Sequence, residues 1–368
     1  MMHYLLKRLA LVVPTIFIIL TLNFFVIQLC PGGPVEQMLA RIQGEERSLL
    51  ERAGASGQDE IKTVQSSLDN MGTYRSDGGL DPELEQRIKR YYGFDKPLLE
   101  RYWMMLSGFA RFEFGDSLFR DKSILELVRE KLPVSLSLGL WTTLISYIVS
   151  VPLGIRKAIR AGSSFDAWTS FAVVAASAVP TFLFAILLVI LFAGGSYWDL
   201  FPLRGLVSPG FDDMSLAAKV VDYAWHMTLP VLAMVIGSFA GTTLLTRNCF
   251  LDEIGKQYVV TARAKGLTEN RVLYGHVFRN AMLIFIAGFP GAFISMFFTG
   301  SLLIEVIFSL DGLGQMGFAA TMQRDYPLMF ATLYISTLLG LVIKLVSDIT
   351  YTFVDPRIDF SAVNSRGS

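Results

Sequence analysis

Long runs without a charged residue constrain this chain more than any other feature of its sequence. A helix needs about 20 apolar residues to cross a hydrocarbon layer about 30 Å thick. Six runs reach or approach that length, and they cover residues 9–30, 132–155, 167–198, 223–246, 280–304 and 326–343. Because a helix satisfies its own backbone hydrogen bonds in lipid, the sequence predicts an all-α integral membrane protein with six transmembrane helices.

Composition excludes several other classes of protein. Charged residues make up 17% of the chain, against about 25% in soluble proteins. The 32 basic residues equal the 32 acidic ones, so there is no bulk positive charge to hold nucleic acid. Two cysteines, Cys30 and Cys249, are too few and too widely separated for a disulfide framework. We therefore expect a lipid bilayer and no nucleic acid among the partners.

The basic residues indicate how the spans are oriented. Arg156, Lys157 and Arg160 follow the second run, and the segment 247–279 between the fourth and fifth runs is rich in lysine and arginine. Because cytoplasmic loops carry an excess of such residues, both loops are predicted to be cytoplasmic. Six spans then place both termini in the cytoplasm. The first run is longer than a signal-peptide core, so residues 1–30 are interpreted as a cytoplasmic N-terminus and a retained helix, with a cleaved signal peptide as the alternative.

A segment of about a hundred residues, 31–131, is left on the outer side of the membrane. Its part 44–79 is rich in Gly, Ser, Asp and Glu without apolar periodicity, which predicts a mobile insertion. Apolar spacing over 98–112 predicts an amphipathic helix. Residues 132–368 would then hold the other five transmembrane helices.

Motifs for catalysis or ion coupling are missing from the sequence. There is no G-x-x-x-x-G-K-[ST] nucleotide loop, and His3, His226 and His276 lack the spacing of a zinc site. The G-x-G-x-x-G at 312–317 follows a membrane span, so it is interpreted as glycines in an external turn. Gly237 and Gly241 are interpreted as intrachain helix packing. Few ionisable residues lie within the spans, which favours a passive pathway driven by another protein over an enzyme or an ion-coupled pump.

The loop that follows the fourth run is the strongest local signal. Leu251, Ile254, Tyr258 and Ala262 share one face of a predicted helix, which Gly266 can end in the left-handed conformation. A second short helix is predicted after Thr268. Two helices around a glycine form a compact knob suited to a groove on a partner protein, whereas a solvated loop without a partner is the alternative.

Several motifs resemble those of a known transporter family. Residues 258–267 read YVVTARAKGL, and His276, Arg279 and Asn280 follow them. This stretch resembles the coupling loop of ABC-importer permeases of the oligopeptide and dipeptide family. Further similarity is spread along the chain, in CPGGP at 30–34, YGFDKP at 92–97, VPTF at 179–182 and EVIF at 305–308. The inserted outer segment and residues 192–207 resemble the Yej-type peptide importers within that family.

The resemblance implies a type I ABC-importer permease architecture with a large outer segment between helices 1 and 2. It implies a second permease subunit, ABC ATP-binding subunits, a periplasmic peptide-binding protein and a peptide substrate, in a bacterial inner membrane. ATP and Mg would be bound by the partner subunits, with no cofactor in this chain. By the same resemblance the loop 247–279 would couple to the ATPases through Glu253, Tyr258, Thr261, Ala262, Arg263, Ala264, Lys265 and Gly266.

Four further residues are candidates for the substrate pathway or its outer gate. Pro180, Thr181 and Phe182 interrupt the third run, where a proline can open a polar spot, although a structural kink is the alternative. Glu305, at the outer end of the fifth run, would line the entrance or instead cap a local turn. The competing function for the whole chain is a self-sufficient secondary transporter or channel.

Overall fold

The computed structural model of the chain describes residues 2–29, 75–76, 79–80, 95–117, 119–120, 122–195, 197–295 and 301–354. These residues are helical apart from their connections and one short antiparallel pair, β1 Arg75–Ser76 and β2 Gly79–Leu80. The predicted mobile insertion over 44–79 lies outside the described residues except for parts of that strand pair. An all-α architecture is confirmed for the described residues.

Thirteen α-helices are described. They are α1 Met2–Leu29, α2 Leu98–Ala110, α3 Ile124–Ile159, α4 Ser164–Ser177, α5 Thr181–Phe192, α6 Leu216–Ile254, α7 Gln257–Ala264, α8 Glu269–Val272, α9 Phe278–Ala281, α10 Leu283–Ser295, α11 Ser301–Ile307, α12 Leu313–Gln323 and α13 Tyr326–Val354. A 3₁₀ turn at Phe211–Asp213 precedes α6, and a π-helical turn at Leu273–Val277 joins α8 to α9.

Three of these helices are long and apolar enough to cross a membrane, judged on the described residues alone. They are α3, α6 and the part Tyr326–Thr350 of α13, and they coincide with the second, fourth and sixth predicted runs. The bent pair α4–α5 counts as a fourth span if its two helices are taken together. Helix α1 contains a shorter apolar stretch over Ala10–Leu22. The fifth predicted run covers α10 and the start of α11, with 296–300 outside the described residues. The chain is therefore a multi-pass helical membrane protein.

The third predicted run is not one helix. It begins at Ser164, breaks over residues 178–180 and continues at Thr181 after a bend of 88°. Pro180 causes the break because it has no N–H to donate and disfavours a helical conformation at the residue before it. Pro180 instead occupies the N-cap position of α5, where no backbone donor is required. The kink that was the alternative to a pathway role for Pro180 is present.

The chain divides into two compact units. One unit comprises residues 15–127 and 319–334. Within it, α2 has the predicted amphipathic character, and its buried Tyr102 stacks near Phe24, with 5.3 Å between ring centroids. Phe109 and Phe114 surround Tyr334 with centroid distances of 5.3 and 5.7 Å. Aromatic burial of this kind supplies much of the stabilisation available to a small unit.

The other unit comprises residues 1–14, 128–318 and 335–368, and it contains the predicted coupling loop and pathway residues. Helices α4 and α5 both pack along α6. Two glycines permit close helix approach, since a Cβ at Gly154 of α3 would collide with Thr246 and one at Gly237 of α6 with Thr181. The interpretation of Gly237 as a packing residue is confirmed. Gly241 differs, because no neighbouring atom in the described part of the chain lies within 4 Å of its Cβ position.

Candidate functional site

The predicted coupling loop is a folded structure of two short helices. Helix α6 ends at Ile254, Gly255 and Lys256 interrupt it, and α7 starts at Gln257. The prediction that one helix carries Leu251, Ile254, Tyr258 and Ala262 was therefore wrong, because the first two lie on α6 and the other two on α7. Lys256 has extended backbone angles, φ −78° and ψ 151°, which turn the chain before α7. The sequence signal was Gly255, a residue that weakens a helix interior.

Gly266 ends α7 as predicted, with φ +78° in the left-handed region. The Leu267 N–H donates to the Ala262 carbonyl at 3.4 Å, and the Gly266 N–H donates to the Arg263 carbonyl at 2.9 Å. This pair of bonds is the Schellman motif, which satisfies carbonyls at a helix end. Thr268 is the N-cap residue of α8, although its side chain makes no capping hydrogen bond.

An apolar cluster anchors the loop to the ends of α3 and α6. We call this set the anchor cluster, and its buried members are Val151, Ile155, Ala158, Cys249, Phe250, Val259, Ala262, Val272, Leu273, Val277, Ala281 and Phe285. Five successive elements from α7 to α10 contribute to it. Because these side chains are interdigitated at the density of a protein interior, the loop is positioned as one body with the helix ends.

The candidate coupling residues divide into two groups by exposure. Ala262 is buried in the anchor cluster, and Tyr258 packs against it. Thr261, Arg263, Ala264, Lys265 and Gly266 are exposed and form the outward side of the loop. Val260, 54% exposed, and Tyr274, 59% exposed, are apolar surfaces beside them that the sequence reasoning missed. Single exposed apolar residues are common on proteins, so the sequence gave no signal that singled out Val260 or Tyr274.

Ion pairs within the loop fix its shape. The Arg263 guanidinium binds the Glu269 carboxylate at 2.8 and 3.0 Å through two nitrogens, which ties α7 to α8. The Tyr258 hydroxyl donates to Glu253 at 2.7 Å, and Lys256 pairs with the same carboxylate. Burial, together with the neighbouring Glu253 carboxylate, raises the pKa of the Tyr258 phenol. Glu253 and Arg263 thus hold the loop together, and a direct contact with an ATPase stays a prediction for both.

A cavity of about 750 Å³ lies beside α6, within the same unit. Two of the predicted pathway residues, Thr181 and Phe182, are on its wall, whereas Pro180 is not among the lining residues. Gly237, Ser238, Gly241 and Thr242 contribute the α6 side, and the remaining lining residues are Tyr147, Met234, Leu245, Ile284, Phe285, Gly288, Ala292, Leu303 and Ile304. All of these residues are uncharged. The cavity wall therefore consists of hydroxyl groups, aromatic rings, aliphatic side chains and the backbone of glycines.

Glu305 is completely buried. Its carboxylate accepts hydrogen bonds from the Ser135 hydroxyl at 2.8 Å and from the Gln315 N–H, in the first turn of α12, at 2.7 Å. A negative charge at a helix N-terminus is favoured by the helix dipole. These contacts are those of the local cap that was the alternative for Glu305, while a role at an outer entrance stays a prediction.

A family model described as a binding-protein-dependent transport system inner membrane component matches residues 150–360, more than half of the chain. The chain belongs to this family. It is a permease component of the inner membrane rather than an enzyme, and this family works with an ABC ATPase and a substrate-binding protein.

Two relatives match the permease over nearly its whole length, and a third matches about three quarters of it. The inner membrane ABC transporter permease protein YejB of Escherichia coli O157:H7 is 59% identical over 97% of this chain and 98% of its own. The peptidoglycan transport system permease protein YejB of Agrobacterium fabrum is 57% identical, over 97% of this chain and 98% of its own. The oligopeptide transport system permease protein AppB of Bacillus subtilis is 34% identical over 76% of this chain and 88% of its own.

A solved structure shows the same fold. The methionine ABC transporter MetNI, in an inward-facing conformation, superposes with a TM-score of 0.50 at 14% identity. The match covers 64% of this chain and 100% of the MetNI chain. The permease therefore has the all-helical type I ABC permease fold.

A group of charged residues that the sequence reasoning did not single out lies in the same unit as the coupling loop. Lys157 near the end of α3, Asp166 in the first turn of α4 and Arg247 of α6 meet in one cluster, which we call the triad. Arg247 is 81 residues from Asp166, whereas Lys157 is nine residues from it, across the turn between α3 and α4. Lys157 and Arg247 were used only as evidence for orientation. Their contact depends on tertiary packing, so no local pattern indicates it.

Proposed function

We propose that this permease is one of two membrane subunits of an ATP-driven importer for peptides. In this proposal a periplasmic binding protein delivers the peptide, and alternating access driven by partner ATPases releases it into the cytoplasm. The observation that carries the proposal is the 59% identity to an ABC transporter permease across 97% of the chain. The oligopeptide permease AppB, at 34% identity, supports peptides as the substrate class.

The proposed topology has six spans with both termini in the cytoplasm. Residues 31–131 form the outer segment between helices 1 and 2, and 132–368 form the core with the coupling loop 247–279. The three long apolar helices, the bent pair α4–α5 and the apolar stretch of α1 support this arrangement. The basic residues of the two loops support the orientation.

The coupling loop is proposed to dock onto an ATP-binding subunit through its exposed residues Thr261, Arg263, Ala264, Lys265 and Gly266. ATP and Mg would be bound by that subunit, with no cofactor in the permease. Closure of the ATPases would then displace the loop. Because the anchor cluster joins the loop to α3 and α6, this displacement tilts those helices as a rigid body.

The cavity beside α6 is proposed to form this subunit's part of the peptide pathway, completed by the second permease subunit. Its size of about 750 Å³ exceeds what a few water molecules fill. An uncharged lining suits a transporter that accepts peptides with different side chains, because no fixed charge selects for one of them. Thr181 and Phe182, which are on the cavity wall, would then line the pathway.

Peptidoglycan fragments are the second candidate substrate, because the Agrobacterium fabrum relative is named for peptidoglycan transport. A reconstituted importer distinguishes the candidates. The permease is purified with its partner subunits, placed in proteoliposomes and supplied with binding protein and labelled substrate. ATP-dependent uptake of short peptides supports the proposal, and uptake of peptidoglycan fragments alone transfers it to the second candidate.

The same preparation tests the competing function. In mild detergent, a self-sufficient transporter would be purified without a second permease or ATP-binding subunits. It would also move substrate along an ion gradient without ATP. That outcome would overturn the importer proposal.

A further inference from the structure

Three helices of the permease are joined at a single carboxylate. Asp166 accepts two hydrogen bonds from Arg247, from Nε at 2.8 Å and from Nη2 at 2.6 Å, and Lys157 Nζ lies 3.1 Å from its Oδ1. The Gly162 N–H adds a fourth contact at 3.2 Å. A two-point contact between guanidinium and carboxylate fixes orientation as well as distance. The triad therefore sets the angle between α4 and α6.

The triad is built for rigidity. Lys157 has no exposed surface, and its ammonium donates to the Asp166 carbonyl at 2.9 Å, the Thr169 hydroxyl at 2.8 Å and the Ser170 hydroxyl at 2.7 Å. Every proton of the buried cation is used. Such a network loses hydrogen bonds if either helix rotates, so it resists relative movement of α3 and α4.

Both ends of the triad lead to functional parts of the molecule. On one side, Lys157 lies between Ile155 and Ala158, and Arg247 lies two residues before Cys249, all three of them members of the anchor cluster that holds the coupling loop. On the other side, α4 continues through the 88° bend into α5, which carries Thr181 and Phe182 to the cavity wall. The triad is thus a polar link between the helix ends that hold the loop and the helix pair α4–α5, whose second helix lines the cavity.

We propose that Lys157, Asp166 and Arg247 form the joint that carries displacement of the coupling loop to α4 and α5. The proposal rests on the proposed function, since it assumes that the loop is moved by ATPases. Arg247 is a positioning residue in this mechanism: it touches neither nucleotide nor substrate, and it acts by making α4 follow α6. Without it, α4 is held to the loop only through Lys157 and α3, so α4 and α5 no longer keep a fixed orientation to α6 when the loop moves.

Arg247→Met removes the joint with the least disturbance of buried charge. Asp166 loses its two hydrogen bonds from Arg247 but keeps Lys157, 3.1 Å from its Oδ1, as a cationic partner. Arg160→Met is the matched control, because Arg160 is an exposed arginine between α3 and α4 that stacks over Phe165 at 5.7 Å and is not in the triad. If Arg247→Met does not accumulate, Arg247→Lys, which keeps the charge but loses the two-point contact, replaces it.

The test uses the complete importer in proteoliposomes and measures peptide uptake per ATP hydrolysed. We expect Arg247→Met to assemble and hydrolyse ATP without binding protein like the wild type, while uptake per ATP falls about tenfold. Arg160→Met is expected to remain within about twofold of wild type in both. Wild-type uptake per ATP in assembled Arg247→Met complexes would overturn the proposal, and so would an equal loss in Arg160→Met.

A spin-label pair separates failure of the joint from failure of the proposed function. Labels at Phe171 on α4 and Asn270 on α8, both exposed, report whether α4 moves together with the loop. In wild type the distance between them is expected to stay constant on ATP binding, and in Arg247→Met to broaden and shift. A wild type that transports no peptide rejects the proposed substrate, whereas an unchanged label distance in Arg247→Met rejects the joint.

Discussion

At the scale of single residues, position 312 requires glycine because the Glu305 carboxylate lies close to it, and not because of its backbone conformation. A Cβ at this position would lie 2.5 Å from the Glu305 carboxyl carbon, yet Gly312 is not among the glycines with positive φ. We expect Gly312→Ala to displace the buried carboxylate and weaken its hydrogen bonds from Ser135 and Gln315. Unsatisfied buried groups of this kind cost about 1–3 kcal/mol, which is measurable as a lower Tm in detergent.

Two other glycines, Gly314 and Gly275, serve as controls for the Tm of Gly312→Ala. A Cβ at Gly314 approaches Glu305 Oε2 at 3.0 Å, so Gly314→Ala is expected to have a smaller effect. Gly275 is exposed and has no atom within 4 Å of its Cβ position, so Gly275→Ala is expected to leave Tm unchanged. Equal Tm values for Gly312→Ala and Gly275→Ala would contradict the assignment of Glu305 as the reason for the glycine.

At the scale of elements, the two helices of the coupling loop depend on the left-handed residue between them. Gly266 has φ +78° and open space around its Cβ position within the described chain, so a substitution there strains the backbone without a clash inside the loop. In the left-handed region a residue with a Cβ has a conformational energy about 1–2 kcal/mol higher than glycine, and the difference is larger for a β-branched residue. Gly266→Val is therefore expected to preserve membrane insertion and abolish peptide uptake. Gly266→Asn is expected to retain uptake, because asparagine tolerates this conformation.

Uptake assays on membranes with equal amounts of inserted permease check the pair of variants. Loss of uptake in both would assign Gly266 to a direct contact with the ATPase that any side chain blocks. Undiminished uptake in Gly266→Val would remove the coupling role from this turn.

The same elements show which features a sequence can predict. Apolar length located α3, α6 and α13, and the glycine after YVVTARAK located the end of α7, because both signals are local. The break at Gly255 and Lys256 was missed because the apolar residues before and after it keep the spacing of a single helix face. The triad was missed because its three members lie on three helices, and long-range pairing of charges has no sequence period.

At the scale of the whole molecule, substitutions at Gly237 and Gly241 separate two functions of α6: packing against α5 and lining the proposed peptide pathway. They stand one turn apart on α6, but Gly237 faces Thr181 of α5 whereas Gly241 faces the open cavity. Gly237→Ala is expected to push α5 from α6 and lower Tm, because its Cβ meets the Thr181 hydroxyl. Gly241→Leu is expected to leave Tm and complex assembly unchanged, because no atom of the described residues lies within 4 Å of its Cβ position and Gly241 borders the cavity.

Transport then tests whether that space is the pathway. If peptides pass through the cavity, the leucine of Gly241→Leu reduces its free volume, so ATP-dependent uptake should fall more for long peptides than for dipeptides. Uptake of a peptide series by the reconstituted complex, normalised to ATP hydrolysis, measures this dependence. Equal uptake of every peptide by wild type and Gly241→Leu would place the pathway elsewhere. A size-dependent loss would show that a helix face without charge, kept open by one glycine, limits what the permease carries.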